Sequence, residues 1–362
     1  MSAGPVLIMA GGTGGHVFPA LALARLLRQE SLEVVWLGTR RGMEARIVPA
    51  ESIPVEWVTI GGLRGKGALT LLAAPFRLLR ALWQSLRIMR RRQPRIVVGL
   101  GGFVAGPGGV AAWLTRRPLL IHEQNAVAGF TNRCLAHLAQ EVLEAFPGSF
   151  GARSRARAIG NPVRADIAAL PPPAARFAGR EGAIRMLVIG GSQGAVQLNR
   201  TVPEAIARLS DTVPIAVRHQ AGERWIDAAR ASYAAAKVEA EVVPFIADMA
   251  QAYAWADIVV CRAGALTISE LTAAGVGSIL IPFPAAVDDH QTRNARFLVD
   301  AAAAFLIPES QLSAERLARE LEPLCTSRAA LLVMAERARA LARPDATAQL
   351  AAACRRFLKE AA

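Results

Sequence analysis

Two stretches of this chain share one plan: a short apolar run, a turn dense in glycine, and a helix-forming segment. The first, from Val6, reads VLIMAGGTGGHVFPALALARLL; the second, from Met186, reads MLVIGGSQGAVQLNRTVPEAIARL. Apolar runs without polar alternation belong to parallel strands covered on both faces. A glycine turn directly after such a strand lets the backbone bend sharply and come close to a ligand. The helix that follows then offers free N–H groups and the positive end of its dipole to an anion. Two such units in one chain imply two α/β halves.

The remaining pattern agrees. Val6–Met9, Val34–Leu37, Ile96–Val98, Leu119–Ile121 and Val142–Ala145 read as buried strands, and so do Met186–Ile189, Ile215–Arg218, Val242–Val243, Ile258–Val260 and Ile279–Ile281. Helical stretches such as Pro19–Gln29 and Pro203–Leu209 lie between them, the signature of doubly wound α/β architecture. A length of 362 residues suits two domains better than one. Between the halves lies GNPVRADIAALPPPAARFAGREGAIR, where periodicity is lost around Pro171–Pro173. The first domain is therefore expected at 1–163 and the second from 164 onward.

Composition narrows the class. Hydrophobic residues make up 53% and charged residues 20%, which supplies two cores and argues against disorder. The net charge is +13, carried almost wholly by arginine, since lysine occurs only at Lys66, Lys237 and Lys359. Such a balance favours an anionic partner: nucleic acid, a phosphorylated substrate, or an anionic membrane face. Cys134, Cys261, Cys325 and Cys354 are scattered with no CxxC spacing, so four reduced thiols are expected rather than a disulfide framework or a zinc site. The start, MSAGPVLIMAGG, has no basic region ahead of its apolar run, so no signal peptide is expected. Ile96 to Thr115 carries no charge over 20 residues and by length could span a bilayer. Six glycines and Pro107 within it make a strand, a turn and a second element the better reading.

Neither glycine turn ends in the Gly-Lys-Ser/Thr of a Walker A loop. A dinucleotide fingerprint from Gly12 would need glycine where Val17 stands, and the second strand ends in WLGTRRG without an acid. Arg40 and Arg41 there could meet a 2′-phosphate, which keeps an NADP oxidoreductase as a secondary reading. More informative is CRAGALTISELTAAGVGSILIP, Cys261 to Pro282: a strand ends at Cys261 and a helix is expected to begin near Gly264–Leu266. Small residues let a diphosphate sit on that helix end, and the Glu270 carboxylate further along can accept both hydroxyls of a ribose. The plain alternative is a capping box, since Thr267 and Glu270 have the S/T-x-x-E spacing. The polar run VDDHQTRNA follows the next strand and suits sugar hydroxyls.

From Leu69 to Arg95 the chain reads LTLLAAPFRLLRALWQSLRIMRRRQPR. Phe76, Leu79, Trp83 and Leu86 recur at helical spacing, accompanied by Arg77, Arg80, Arg87 and Arg90 to Arg92. This suits an amphipathic helix on an anionic membrane, with the loop from Gly61 to Gly67 contacting lipid, or a surface helix packed on its sheet. No nucleic-acid motif or stacking aromatic series accompanies the charge.

GGTGGHVFP, GLRGKG, GGFVAGPGG, HEQN, GNPVR, GGSQGA, CRAGALTISE and DDHQTRNA occur in this order, over nearly the whole chain. Together they closely resemble the MurG family, bacterial UDP-N-acetylglucosamine:N-acetylmuramyl-(pentapeptide) pyrophosphoryl-undecaprenol N-acetylglucosamine transferases. The resemblance implies a GT-B glycosyltransferase fold: two Rossmann-like domains, with parallel sheets, facing a deep cleft. A C-terminal helix at about 345–362 would pack back on the first domain, leaving 164–344 as the UDP-GlcNAc-binding domain. It implies inverting transfer of GlcNAc to the 4-hydroxyl of the muramyl sugar of lipid I, giving lipid II for peptidoglycan. It also implies peripheral attachment to the cytoplasmic side of the inner membrane, a place beside cell-wall or division proteins, and no cofactor. Carried onto this sequence, the donor site comprises Gly12, Thr13, Gly14, Asn125, Arg164, Ser192, Ile246, Ala265, Leu266, Thr267, Ile268, Ser269, Glu270 and Gln291. Ile246, in PFIADM, would present backbone groups to uracil. The helix end at Gly264–Thr267 would stabilise the departing UDP, so no metal is required. His16, whose ordinary pKa is near neutrality, is one candidate base; Glu123 in HEQN is the other, with His122 structural.

Overall fold

The computed structural model describes residues 4–61, 73–191, 194–209, 213–286 and 289–360. Ser192, Asp288 and residues 62–72, which include most of the expected lipid-contacting loop, lie outside them. The chain divides into two compact units, one formed by 1–162 with 344–362 and the other by 163–343.

The first unit is a seven-stranded sheet. Its strands are β1 (Val6–Met9), β2 (Val34–Gly38), β3 (Val55–Trp57), β4 (Ile96–Gly99), β5 (Leu119–Glu123), β6 (Glu141–Glu144) and β7 (Arg157–Ala158), in the order β3-β2-β1-β4-β5-β6-β7. Its helices are α1 (Gly14–Gln29), α2 (Glu44–Ala50), α3 (Ala74–Arg92), α4 (Ala105–Leu114) and α5 (Phe130–Leu135). The second unit holds β8 (Ile184–Ile189), β9 (Ile215–Gln220), β10 (Glu241–Val243), β11 (Ile258–Cys261), β12 (Gly277–Leu280) and β13 (Ala304–Leu306), in the order β10-β9-β8-β11-β12-β13. Around them lie α6 (Ala165–Ala168), α7 (Pro173–Phe177), α8 (Val196–Ala207), α9 (Ile226–Ala235), α10 (Met249–Trp255), α11 (Ala265–Ala274), α12 (His290–Val299), α13 (Ala314–Cys325) and α14 (Arg328–Ala340). All the pairings are parallel.

The apolar strands are uniform because both faces are covered. In β1, Val6 and Ile8 join a core with Leu21, Leu27 and Trp36, while Leu7 and Met9 join the opposite core with Val104, Ala111 and Met89. The terminal helix α15 (Ala346–Glu360) belongs to the first of these cores through Leu350, Ala351, Cys354 and Leu358. The four cysteines are free thiols. The uncharged stretch from Ile96 is β4, a turn and the ten-residue helix α4, and no helix among the described residues is long and apolar enough to cross a membrane.

Three strands absent from the sequence reading, β3, β7 and β13, are short and lie at sheet edges. An edge strand faces solvent and needs no continuous apolar run. The helices expected at Pro19 and Pro203 begin earlier, at Gly14 and Val196, with each proline inside. In α1 the Thr13 carbonyl accepts from the N–H groups of His16 and Val17, so the glycine turn sets the helix start. Helix α3 packs with Ala81, Ile88 and Met89. Leu86 packs partly with them, whereas Phe76, Leu79 and Trp83 are 75%, 63% and 60% exposed.

Candidate functional site

In both sheets the strand order reverses beside the first strand, between β1 and β4 and between β8 and β11. Open α/β sheets bind ligands beyond the carboxyl ends of their strands at such a switch point. Met9 pairs with Gly99 there in the first unit, and Ile189 with Cys261 in the second. The first switch point thus carries the turn before α1 and the Gly101–Val104 turn, the second the turn before α8 and the Arg262–Gly264 turn before α11.

In the first unit, Gly12 has φ +95° and its N–H donates to Glu44 Oε2 at 2.9 Å. Glu44 Oε1 accepts from the N–H and hydroxyl of Thr39 at 2.9 and 2.7 Å. This fully buried carboxylate ties the turn after β1 to the turn after β2. A Cβ at Gly11 would lie 2.6 Å from its Oε1, and one at Gly42 nearer still to Oε2. Thr13 caps α1 with backbone groups only, so the amides of α1 have no side-chain acceptor from it. His16 is half-buried, with Nδ1 2.9 Å from Gln124 Oε1.

Glu123, the other candidate base, is tied to its own loop. It is buried, and its oxygens accept from Asn125 N–H at 2.9 Å, Asn125 Nδ2 at 3.1 Å, Gly129 N–H at 3.1 Å and Asn132 Nδ2 at 2.9 Å. With four donors on it, this carboxylate holds the loop after β5. Asn125 is held by it, and its carbonyl accepts from the Ser149 hydroxyl at 2.8 Å.

In the second unit, α11 starts at Ala265 with Gly264 as N-cap and no side-chain cap, so the amides of Ala265, Leu266 and Thr267 face no capping side chain. Thr267 and Glu270 are the third and sixth residues of the helix, which rules out the capping box. Ile268 is buried in the core, and the half-buried Ser269 donates its hydroxyl back to the Ala265 carbonyl at 3.0 Å. Glu270 Oε2 accepts from the buried Tyr253 hydroxyl at 3.0 Å. Burial pushes the Glu270 carboxyl up to about 7, against the opposing pull of the Tyr253 hydrogen bond and of the Arg164 charge. Arg164 itself is engaged by Asp166, through Nε at 3.2 Å and Nη2 at 2.7 Å.

The turn before α8 closes tightly. Gly194 has φ +76°, and a Cβ on it would meet the Ala221 carbonyl at 2.2 Å. Buried Gln220 joins this turn to the expected uracil segment: its Nε2 donates to the Gly191 carbonyl at 3.0 Å and its Oε1 accepts from Ile246 N–H at 3.1 Å. The Ile246 N–H is thus already used, and the side chain lines a surface pocket with Phe245, Asp248 and Gln251. Gln291 Oε1 accepts from Ala263 and Phe283 N–H at 3.2 and 2.9 Å, so its NH2 is the group it can present to a ligand.

Sequence reading missed Glu44, Gln124, Tyr253, Asp166 and Gln220. Glu44 is a single acid in TRRGMEARI and Tyr253 one aromatic in a short helix; no spacing marks either. Gln124 sits inside HEQN, where its neighbours drew the attention.

Comparison with known proteins agrees with this layout. Residues 6–144 match the glycosyltransferase family 28 N-terminal domain, and residues 185–350 match its C-terminal domain. A protein of Marinobacter nauticus named UDP-N-acetylglucosamine--N-acetylmuramyl-(pentapeptide) pyrophosphoryl-undecaprenol N-acetylglucosamine transferase is 57% identical, covering 96% of each chain. One of the same name from Alkalilimnicola ehrlichii is 58% identical, covering 97% of this chain and 98% of that one. The crystal structure of MurG from Acinetobacter baumannii matches with a TM-score of 0.86 at 42% identity, over 98% of this chain and 99% of that one. The glycosyltransferase of kitacinnamycin, 16% identical with a TM-score of 0.74 over 99% of this chain and 100% of that one, shares the fold.

Replacing Glu44 by glutamine tests the buried carboxylate. An amide can accept at one end only, so whichever way it turns its NH2 faces a backbone N–H, that of Gly12 or of Thr39. Glu44→Gln is expected to lower stability by about 1–3 kcal/mol in urea denaturation. Unchanged stability would show that these hydrogen bonds do not hold the turn.

Proposed function

The chain belongs to the MurG family of family 28 glycosyltransferases, which have the GT-B fold, and we propose that it moves GlcNAc from UDP-GlcNAc to the 4-hydroxyl of the muramyl sugar of lipid I, forming lipid II with inversion. The observation that carries the donor half of this reading is α11. Its uncapped amides at Ala265 to Thr267 suit a diphosphate, and Glu270 stands about 7 Å further along the axis, within reach of the ribose diol.

The chemistry asks for three things. The acceptor hydroxyl gives up its proton as its oxygen bonds to the anomeric carbon. The bond from that carbon to the β-phosphate oxygen breaks, and its electron pair leaves with UDP. The N-terminus of α11 stabilises the charge that grows on the diphosphate. His16 takes the proton on its imidazole, the side chain most often used as a general base. Gly12, Thr13 and Gly14 keep the chain close to the reacting sugar without bulk. With Glu123 consumed by its loop, His16 is the base of choice.

The lipid-linked acceptor places the reaction at an anionic membrane surface, on the cytoplasmic side of the inner membrane. Support comes from the exposed Phe76, Leu79 and Trp83 on α3, with exposed Arg77, Arg80, Arg87 and Arg90 on the same helix. Vesicle flotation is expected to show binding that rises with anionic lipid and drops in Trp83→Asp. Binding indifferent to lipid charge and to Trp83 would reject this surface.

His16→Ala is expected to cut transfer to a lipid I analogue by about 10²–10⁴-fold while UDP affinity stays near normal. Transfer at the wild-type rate would take His16 out of the chemistry. Glu270 must be ionised to accept two hydroxyls, and its carboxyl titrates near 7. UDP-GlcNAc, whose diphosphate does not titrate in this range, is therefore expected to bind more weakly by calorimetry as pH drops from 8 to 6, and the dependence should vanish in Glu270→Gln. A pH-independent affinity in the wild type would remove Glu270 from the ribose.

A further inference from the structure

The bond between His16 and Gln124 is the end of a longer chain. His122 is fully buried on β5, and its Nε2 lies 2.9 Å from the Gly160 carbonyl. A carbonyl oxygen only accepts, so His122 Nε2 carries a hydrogen. Burial pushes the His122 imidazole down to about 4, which keeps the ring neutral and leaves Nδ1 a lone-pair acceptor. Opposite that nitrogen, at 3.0 Å, stands the side-chain amide of Gln124. The atom facing it must donate, so it is the NH2. The same NH2 lies 3.1 Å from the His122 backbone carbonyl, a second acceptor that demands the same orientation. The backbone carbonyl of Gln124 is pinned in turn by Asn161 Nδ2 at 3.0 Å. With its NH2 so committed, Gln124 turns its oxygen to His16 Nδ1 at 2.9 Å, and that oxygen requires a hydrogen on Nδ1.

We propose that Gln124, itself oriented by His122 and the Gly160 carbonyl, is a positioning residue that fixes the His16 tautomer with the hydrogen on Nδ1 and the lone pair on Nε2. The hydroxyl proton then has one place to go, Nε2, which has no partner among the described residues. The backbone also crowds the ring. Gly101, with φ +99°, lies against it so closely that a Cβ there would stand 2.6 Å from His16 Nδ1. This matters because a free neutral imidazole prefers its hydrogen on Nε2, the form that cannot accept there. Alignment of the base by a fixed neighbour is worth up to about 10⁴-fold where an acid does this for a catalytic histidine. Here a neutral amide does the same task. It adds no charge beside the imidazole.

The inference rests on His16 being the base, but its test does not. Nitrogen-15 spectra of the full-length protein with labelled histidine separate the two nitrogens of each ring. The wild type is expected to show a protonated, pyrrole-type Nδ1 and a pyridine-type Nε2 for His16, assigned by its loss in His16→Ala. In Gln124→Met, similar in size but unable to accept, the pattern should move toward the opposite tautomer. In the same variant kcat should fall at least about tenfold while KM for UDP-GlcNAc stays within about twofold. A wild-type His16 with its hydrogen on Nε2 overturns the proposal, even if Gln124→Met fails to fold. So does a Gln124→Met protein whose His16 tautomer is unchanged. If the tautomer shifts and kcat does not, the relay stands and the assignment of His16 as base falls.

Discussion

In each unit the first strand is hydrogen-bonded on both sides, β1 to β2 and β4, and β8 to β9 and β11. That double pairing puts the first strand inside the sheet and turns the connections on its two sides in opposite directions. The chain leaving the central strand must clear the neighbouring loop and enter a helix within a few residues. Glycine meets this need, as the close approach of Gly194 to the Ala221 carbonyl illustrates. Helix ends, turns and polar side chains gather at the carboxyl edge because the pairing leaves the space open there.

Beyond the last rung of the ladder, backbone N–H groups lose their strand partners, and side chains take over. Buried carboxylates do so in the first unit, among them Glu44 and Glu123. Glu44 gathers the amides of Gly12 and Thr39, and Glu123 gathers those of Asn125 and Gly129 together with the Asn132 side chain. Buried anions of this kind are held by several N–H dipoles rather than by a cation. Gln220 does the neutral equivalent in the second unit by bridging Gly191 and Ile246. The polar residues nearest the switch points are therefore of two sorts, those spent on backbone and those left for a ligand.

That division explains what could be read in advance. Central strands and glycine turns were legible because their burial imposes uniform apolar runs and their geometry demands glycine. The helix start at Ala265 was legible because a small-residue turn after a buried strand is a local pattern. Edge strands such as β13 were not, since half-exposed backbone pairs without a side-chain signature. Nor were roles that depend on partners remote in sequence. Nothing around Glu123 reveals that Asn132 and Gly129 will occupy its oxygens, and nothing near Arg164 other than Asp166 reveals that its guanidinium is already paired. Acid and amide side chains advertise chemistry in a sequence; only their partners decide whether they keep it.

The terminal helix α15 adds a matter of timing. Leu350, Ala351, Cys354 and Leu358 complete the core that begins at Val6 and Ile8, although the whole second unit is encoded between them. A ribosome delivers the chain from its N-terminus, so the second unit has every residue of its own core before the first unit does. During synthesis the outer face of α1 waits uncovered while some 180 later residues emerge. For this architecture the order of translation and the order of completed folding run opposite ways.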